Sequence, residues 1–261
     1  MKAQVGVWKF AYEKRDIRDK SIHPAAFPIA LARRCIDLFT HRGELVLDPF
    51  VGSGTTLVAA RDAGRNAIGI DLNPRYVDLC RNRLGAEPPR DDCRQVAMCA
   101  DARDTTAFIQ PATVALVLTS PPYANLLNRK RKNKSRRGDL RRNSQYGKVE
   151  QYSQDPRDLG ILGIHEYSTA MASIFESIRP LLKAGAHCVV NVPDMWWDGT
   201  RVTIHVSLIE AFRGVGYELR NIIIWDRTNV VNRVGIFGWP SNYITMGVTF
   251  EYLLDFIAPR R

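Results

Sequence analysis

The alternation of short apolar runs with segments of helical periodicity is the sequence feature that most constrains the fold of this chain. Strands that are apolar along most of their length are buried on both faces, as in parallel sheets covered by helices. We therefore predict an α/β fold, in which a mainly parallel sheet carries helices on both faces. The seven predicted strands lie at residues 44–50, 66–70, 95–100, 114–119, 187–192, 218–225 and 252–257. The predicted helices lie at residues 24–40, 55–63, 74–84, 165–182 and 203–214, and residues 5–20 are predicted to be a polar lead-in.

The composition is that of an ordinary globular protein. The 261 residues are 45% hydrophobic and 25% charged, which is enough apolar material for a buried core and argues against intrinsic disorder. The length suits a single domain over residues 1–261. No run approaches the roughly 18 to 20 apolar residues of a membrane span, and no signal-peptide pattern opens the chain. We expect a cytoplasmic protein with no membrane contact.

The cysteines and histidines point to no metal or disulfide framework. Five cysteines are an odd number, and no C-x-x-C pair occurs among them. His165, His187 and His205 show no metal-ligand spacing. We therefore predict no metal site.

A glycine-rich turn follows the first predicted strand, at residues 48–56 (DPFVGSGTT). Two glycines permit a tight turn and the close approach of a ligand to backbone N–H groups at the start of a helix. The segment is neither a P-loop nor a G-x-G-x-x-G fingerprint. A tight turn without a ligand is the alternative, and the preceding Asp-Pro-Phe argues against it.

Two aspartates follow the next two strands. Asp71 ends the strand at 66–70, where a carboxylate can accept hydrogen bonds from both hydroxyls of a ribose. The alternative role for Asp71 is a helix N-cap ahead of Pro74, which Asn73 can also fill. Asp101 holds the corresponding position one strand later.

Residues 120–123 (SPPY) directly follow the strongly apolar strand at 114–119. Two prolines fix the backbone and remove two N–H donors, which leaves carbonyl oxygens, the Ser120 hydroxyl and the Tyr123 ring at the strand end. Such a group offers acceptors to an amino group and a face on which a flat base can stack. The alternative is a proline turn that merely stops the strand.

Positive charge is concentrated in one segment of the chain. Residues 129–142 (RKRKNKSRRGDLRR) hold nine basic residues and one acidic residue, a net charge of +8 out of +10 for the whole chain. A run this dense is a loop or arm that suits an anionic partner, although a solvated surface segment or a localisation signal is the alternative. The basic residues are Arg129, Lys130, Arg131, Lys132, Lys134, Arg136, Arg137, Arg141 and Arg142.

Together these segments resemble the S-adenosylmethionine-dependent DNA amino-methyltransferases, which methylate exocyclic amines of cytosine or adenine. Residues 48–56 are similar to the methionine-binding motif of that family, and residues 120–123 to its catalytic tetrapeptide in the Ser-Pro-Pro-Tyr form. Residues 23–28 (HPAAFP) resemble the element that leads the helix ahead of the cofactor strand, and residues 224–226, 235–241 and 251–252 resemble the closing strands and hairpin. The resemblance implies a Rossmann-like class I methyltransferase fold with a seven-stranded sheet.

The order of the motifs departs from that of many relatives. Here the cofactor motif precedes the tetrapeptide, whereas relatives with Ser-Pro-Pro-Tyr often have the reverse order, so the resemblance implies a circularly rearranged member. The sequence also has no large target-recognition domain, and the basic insertion at residues 124–164 is the candidate for that role.

The resemblance implies S-adenosylmethionine as cofactor, with one group of residues around it. Asp48, Phe50, Gly52 and Gly54 are expected at the methionine end, Asp71 at the ribose, and Asp101 with Ala102 at the adenine. Thr55 and the leading segment with His23, Pro24 and Phe27 are expected to help hold the carboxylate.

The implied reaction is methyl transfer to the amino group of a base flipped out of duplex DNA. Tyr123 would stack on the base, while the Ser120 hydroxyl and the Pro121 carbonyl, held rigid by Pro122, would accept hydrogen bonds from the amine. No cysteine follows a proline, which disfavours carbon-5 methylation of cytosine through a covalent adduct. The serine form of the tetrapeptide favours cytosine N4 over adenine N6.

The expected partner is double-stranded DNA, contacted through phosphates by the basic run and on the substrate side by Trp239. A cognate restriction endonuclease is a further expected partner, the protein is expected to be a monomer or weak dimer, and in a bacterium it would associate with the nucleoid. Two alternatives stay open. One is an RNA methyltransferase of the same fold acting on guanine N2, and the other is a non-catalytic nucleic-acid-binding protein.

Overall fold

A computed structural model describes residues 6–17, 26–86, 92–124, 155–197, 200–229, 236–237, 245–246 and 248–258. The strands are β1 (Val7–Lys9), β2 (Leu45–Asp48), β3 (Asn66–Asp71), β4 (Gln95–Cys99), β5 (Val114–Thr119), β6 (Leu182–Val192), β7 (Met195–Trp197), β8 (Thr200–Val202), β9 (Glu218–Asp226), β10 (Ile236–Phe237), β11 (Thr245–Met246) and β12 (Phe250–Ile257). The α-helices are α1 (Ile29–Phe39), α2 (Thr55–Ala63), α3 (Pro74–Gly85), α4 (Ile164–Ile178) and α5 (Ile204–Gly214). Short 3-10 helices lie at Ala102–Ala107, Leu159–Ile161 and Arg179–Leu181.

The main sheet has eight strands in the order β1-β9-β12-β6-β5-β2-β3-β4. β12 runs antiparallel to both of its neighbours, and every other pairing in this sheet is parallel. The prediction of a mainly parallel α/β sheet is therefore confirmed, but the expected number of seven strands is wrong by one. The additional strand is β1, which falls in the segment predicted to be a polar lead-in. β1 has only three residues, of which only Trp8 is buried, so it is too short to show the alternation of a strand.

Helices cover both faces of the sheet, as predicted. On one face, α1, α2 and α3 enclose a core that includes Leu31, Ile36 and Leu57. On the other, α4 and α5 enclose a core that includes Phe175 and Phe212. The two cores account for the near-continuous apolar sequence of the inner strands, because β5 is buried at all six of its positions.

Two predicted helix boundaries differ from the structure for local reasons. α1 begins at Ile29, where Pro28 is the N-cap residue and the Asp16 carboxylate accepts the Ile29 N–H at 2.8 Å. The helix predicted to reach residue 182 ends at Ile178, because Pro180 lacks the N–H that a continuing helix needs. β6 then begins at Leu182, five residues before the predicted strand.

The strand order reverses between β5 and β2, so these neighbouring strands lead to different helical layers. α2 and α3 follow β2 and β3 on one face, whereas α4 and α5 follow β5 and β6 on the other. In open α/β sheets, ligands bind at the carboxyl ends of the strands at such a switch point. The glycine-rich turn after β2 and the tetrapeptide after β5 both lie there. Within the described ranges, no helix is long and apolar enough to cross a membrane.

Candidate active site

The glycine-rich turn is shaped by close packing as well as by backbone conformation. Gly52 and Gly54 have positive φ values of 48° and 84°. A Cβ at Gly54 would lie 2.3 Å from the Cys80 Sγ, so only glycine lets the start of α2 lie against α3. Both glycines are thus explained by the backbone geometry of the turn, before any ligand is considered.

The Asp48 carboxylate holds together three elements beneath this turn. Its oxygens accept hydrogen bonds from the hydroxyls of Thr56 and Thr119, each at 2.6 Å, and from the Phe50 N–H at 3.1 Å. Asp48 is 2% exposed, and its burial raises the pKa of the carboxyl to about 6. All of these partners belong to the protein, so Asp48 ties the end of β2 to α2 and to the end of β5.

Asp71 braces the same turn from the end of β3. One carboxylate oxygen accepts the Gly52 N–H at 2.9 Å, and the other accepts the Asn73 N–H at 2.8 Å. Burial is the main cause that raises the pKa of Asp71 to about 6, against the lowering effect of these two hydrogen bonds. An ionised carboxylate has about four lone-pair positions, so these two hydrogen bonds use about half of them.

Asp101 caps the 3-10 helix that follows β4. It accepts hydrogen bonds from the Arg103 N–H at 2.9 Å and from the Arg103 guanidinium at 2.8 Å. The guanidinium of Arg157 lies 3.9 Å from the same carboxylate. Two arginines thus surround the acidic group at this end of the cleft.

A cleft runs along the carboxyl ends of β2, β3, β4 and β5. The predicted residues that line it are Phe50, Gly52, Asp71, Asp101, Ala102, Ser120 and Pro122. Tyr76, Arg103, Arg157 and Leu159 also line it, and no motif in the sequence singled them out.

Other predicted residues lie away from this lining. Asp48, Gly54 and Thr55 belong to the turn but do not line the cleft, and the Arg83 guanidinium approaches the Thr55 hydroxyl at 3.4 Å. Phe27 is buried in the core beneath α1 to α3. His23, Pro24, Trp239 and the basic residues at 129–142 lie outside the described residues.

The four residues of the tetrapeptide alternate between the cleft and the interior. Ser120 and Pro122 line the cleft, whereas Pro121 is buried. The Tyr123 ring is only 7% exposed and packs in the core of the α4 and α5 face. Its hydroxyl lies 2.7 Å from the Ser120 Oγ in a hydrogen bond. The sequence led us to expect a projecting ring, and the structure instead shows a tyrosine whose hydroxyl is paired with Ser120.

Three further polar residues lie beneath the tetrapeptide. The Asn191 Nδ2 lies 2.6 Å from the Glu251 Oε2, 3.5 Å from the Ser120 Oγ and 3.4 Å from the Tyr123 hydroxyl. The Arg227 guanidinium donates to the other oxygen of Glu251. They come from distant parts of the chain, and no local pattern could have grouped them.

No group of three His, Cys, Asp or Glu side chains is placed to hold a metal ion in the part of the chain that the structure describes. The site consists of a cleft lined by Asp71, Asp101 and Ser120, with the buried amide of Asn191 and hydroxyl of Tyr123 behind Ser120.

Comparison with protein families gives one match that covers most of the chain. The profile of the N6/N4 methyltransferase family, described as DNA methylase, matches residues 2–82 and 114–253. These ranges include both the glycine-rich turn and the tetrapeptide.

Individual relatives match over shorter stretches. The type II methyltransferase M.HpaI of Haemophilus parainfluenzae is 38% identical over 81 residues, which is 31% of this chain and 26% of the relative. M.Cfr9I of Citrobacter freundii is 51% identical over 65 residues, 25% of this chain and 22% of the relative. The matched stretches thus span about a quarter of the length of these curated relatives.

Among solved structures, a putative rRNA-methylase from Clostridium thermocellum superimposes with a TM-score of 0.53 and 13% identity. The superposition covers 89% of this chain and 98% of the other. At this identity the likeness shows only a shared fold, the Rossmann-like fold of class I methyltransferases.

Proposed function

Because the chain belongs to the N6/N4 family of DNA methylases, we propose that it methylates the exocyclic amino group of a base in double-stranded DNA, with S-adenosylmethionine as the methyl donor. One observation carries this proposal. The Ser120 end of the tetrapeptide lines the same cleft as Asp71, at the point where the strand order reverses.

The cleft fits the cofactor that this family uses. Asp71 faces the cleft with lone pairs that its two backbone donors leave free, which suits the two hydroxyls of a ribose. Phe50 and Gly52 would border the methionine end, while Asp101 and Ala102 would border the adenine. Asp48 would act indirectly, since its partners hold the turn in shape. The cofactor, when bound, supplies a methyl group activated by a positively charged sulfur.

The contribution of the tetrapeptide is to orient the amine. The Ser120 hydroxyl and the Pro121 carbonyl would accept its hydrogens and turn the nitrogen lone pair out of conjugation with the ring. This is catalysis by positioning, and the amine can lose its proton after transfer. Tyr123 would stack on the base, which requires a movement that exposes the ring, because it is 7% exposed in this structure.

We propose cytosine N4 as the methylated atom, with adenine N6 as the alternative. The support is the resemblance alone, in which the serine form of the tetrapeptide favours cytosine N4 and the aspartate form adenine N6. The basic residues at 129–142 would contact phosphates, and the insertion at residues 124–164 would read the target. The last part of this insertion reaches the cleft, since Arg157 and Leu159 are among the residues that line the cleft.

The partners follow from the same assignment. Double-stranded DNA is the proposed substrate, and the type II names of M.HpaI and M.Cfr9I support a restriction endonuclease as the cognate partner. The proposed location is the cytoplasm. An RNA substrate is the second candidate, since the fold is shared with a putative rRNA-methylase.

The test is methyl transfer from tritiated S-adenosylmethionine to unmethylated duplex DNA, single-stranded DNA and tRNA, followed by nucleoside analysis. We expect N4-methylcytosine in duplex DNA. N6-methyladenine would keep the proposed reaction and overturn the choice of base. Label confined to tRNA would favour the RNA substrate, and no label in any nucleic acid would contradict the proposed reaction.

A further inference from the structure

Asn191 lies near the carboxyl end of β6 and touches both hydroxyls of the tetrapeptide. Its Nδ2 lies 3.5 Å from the Ser120 Oγ and 3.4 Å from the Tyr123 hydroxyl, which are long hydrogen bonds. Its shortest contact is to the Glu251 Oε2, at 2.6 Å. The asparagine is 1% exposed, so these contacts lie in the protein interior.

The contact with Glu251 fixes the direction in which the carboxamide points. A carboxylate accepts hydrogen bonds, so the group facing Glu251 is the NH₂ and not the carbonyl. Glu251 is 6% exposed and is held on its other oxygen by Arg227. The Arg227 backbone N–H donates to the Thr249 carbonyl at 2.8 Å, which anchors the arginine to the start of β12. This series of hydrogen bonds runs from Arg227 through Glu251 to Asn191 and ends at the tetrapeptide.

The orientation of Asn191 places a donor group, and no acceptor, beside the Ser120 hydroxyl. A hydroxyl oxygen has one hydrogen to donate and two lone pairs to accept with. Asn191 donates toward both hydroxyls, and the 2.7 Å bond between Ser120 and Tyr123 uses one hydroxyl hydrogen. When Ser120 donates that hydrogen, one lone pair on the Ser120 Oγ stays free for an amine.

The carbonyl oxygen of the Asn191 carboxamide supports a role beyond packing. The Asn191 Oδ1 is buried and has no hydrogen-bond partner among the residues that the structure describes. An unpaired buried acceptor is costly, and a side chain that only joined β6 to β12 would be expected to satisfy both of its ends.

We propose that Asn191 is a positioning residue for methyl transfer, with its carboxamide oriented by Glu251 and Arg227. It acts through Ser120 and Tyr123, by holding their hydroxyls in the pattern that leaves an acceptor for the target amine. This inference rests on the proposed function and assigns to it three residues outside the tetrapeptide.

The main experiment exchanges donor and acceptor in the Asn191–Glu251 pair through the double variant Asn191→Asp/Glu251→Gln. The two new side chains are nearly isosteric with the old ones. A glutamine at 251 can donate to the new carboxylate and still accept from Arg227, so the contact between β6 and β12 is kept. The donor facing Ser120 and Tyr123 is lost.

We expect the double variant to melt within about 3 °C of the wild type and to bind S-adenosylmethionine with unchanged affinity in calorimetry. Its rate of methyl transfer to unmethylated bacteriophage DNA at saturating cofactor and DNA should be about 100-fold lower. A rate within about threefold of the wild type, which is less than 1 kcal/mol, would overturn the inference, because it would show that only the contact between strands matters.

The single variant Asn191→Asp adds a second signature. It places a carboxylate beside that of Glu251, and two adjacent carboxyl groups share one proton, with the pKa of one of them raised. The one shared hydrogen lies between the two carboxyl groups and none remains for the Ser120 and Tyr123 hydroxyls, so methyl transfer should stay about 100-fold below the wild type from pH 8 to pH 6. A rate within about threefold of the wild type at any pH in this range would contradict the proposed role.

Asn191→Ala is the fallback if the double variant does not fold. A fall in kcat of about 100-fold with unchanged KM for DNA would support the inference, and an unchanged kcat would overturn it. Failure of the proposed function is a separate result, since the wild-type protein would then label no DNA at all.

Discussion

The two halves of the site, one along the cleft and one behind the tetrapeptide, are built in different ways. In the half formed by β2, β3 and β4, the carboxylates of Asp71 and Asp101 accept hydrogen bonds from backbone N–H groups two residues away or from the glycine-rich turn. In the half formed by β5, β6 and β12, the hydroxyls of the tetrapeptide are reached by the Asn191 side chain, which is 71 residues from Ser120 and 68 from Tyr123 in sequence.

This difference separates what each half can do. The first half is held rigid by short-range backbone bonds, which suits a site that binds one invariant cofactor. In the second half, the contacts of Asn191 with the two hydroxyls are long, at 3.4 and 3.5 Å. We infer that binding affinity for the cofactor is set in the first half and the rate of methyl transfer in the second.

The largest expected effect is that of Ser120→Ala, which tests this separation directly. Methyl transfer should fall by at least about 100-fold, since the amine loses one of its two orienting acceptors. Binding of S-adenosylmethionine in calorimetry should be unchanged. The matched control is Thr113→Ala, which deletes a hydroxyl bonded to the Gln110 carbonyl at the opposite end of the same strand. A loss of cofactor binding in Ser120→Ala would break the comparison.

Asp48→Ala should affect both halves, because Asp48 joins β2 to Thr119 at the end of β5. Its removal leaves two buried hydroxyls and one backbone N–H without their acceptor, so we expect a loss of about 3 kcal/mol in the free energy of unfolding. Chemical denaturation measures this loss. A free energy of unfolding equal to that of the wild type would show that the hydrogen bonds of Asp48 do not stabilise the contact between β2 and β5.

Asp71→Asn should weaken cofactor binding by about 30-fold, because an amide has one acceptor oxygen where the carboxylate offers two. The maximal rate at saturating cofactor should stay near that of the wild type. Asp78→Asn, which neutralises an exposed carboxylate on α3, is the control. A large loss of maximal rate in Asp71→Asn would mean that the halves are not separable.

The smallest expected effect is a pH dependence of cofactor affinity. The pKa of Asp71 is raised to about 6, so the fraction that is ionised falls as the pH drops from 7 to 5. The Kd for S-adenosylmethionine should rise by up to about tenfold over this range. The Asp71→Asn variant should lack the dependence, and a flat profile in the wild type would contradict the assignment of Asp71 to the ribose.

The same raised pKa values determine how stability depends on pH. Burial raises the pKa of Asp48 and of Asp71 to about 6, above the roughly 3.9 of an unfolded aspartate. The folded state therefore binds more protons between about pH 4 and pH 6, so the contribution of these two groups falls as the pH rises through that window and is constant above it.

The first half of the site could be predicted from sequence because its signals are local. The turn at residues 48–56 and the aspartates after β3 and β4 each follow an apolar strand, and the cleft lining includes Phe50, Gly52 and Asp71 as expected. The bounds of α2 and of β5 also agree with the prediction, since glycine and proline mark their ends.

The second half could not be predicted because its contacts are long-range. Asn191, Glu251 and Arg227 are ordinary polar residues in their local sequence and meet only when β6, β9 and β12 pair. The burial of the Tyr123 ring likewise depends on α4 and α5, which the tetrapeptide itself does not specify. The assigned roles of the site residues stay predictions until the variants are measured.

The two edges of the main sheet have a consequence for behaviour at high concentration. Exposed strand edges invite pairing between molecules, and short edge strands or side chains placed on edge carbonyls reduce it. At one edge, β1 is only three residues long. At the other, the Arg81 guanidinium donates twice to the Ala97 carbonyl of β4, at 2.9 and 3.2 Å. Sheet extension from copy to copy, the route to fibrous aggregates, is thereby hindered at the β4 edge, whereas β1 pairs with only Ile224–Asp226 of the nine-residue strand β9.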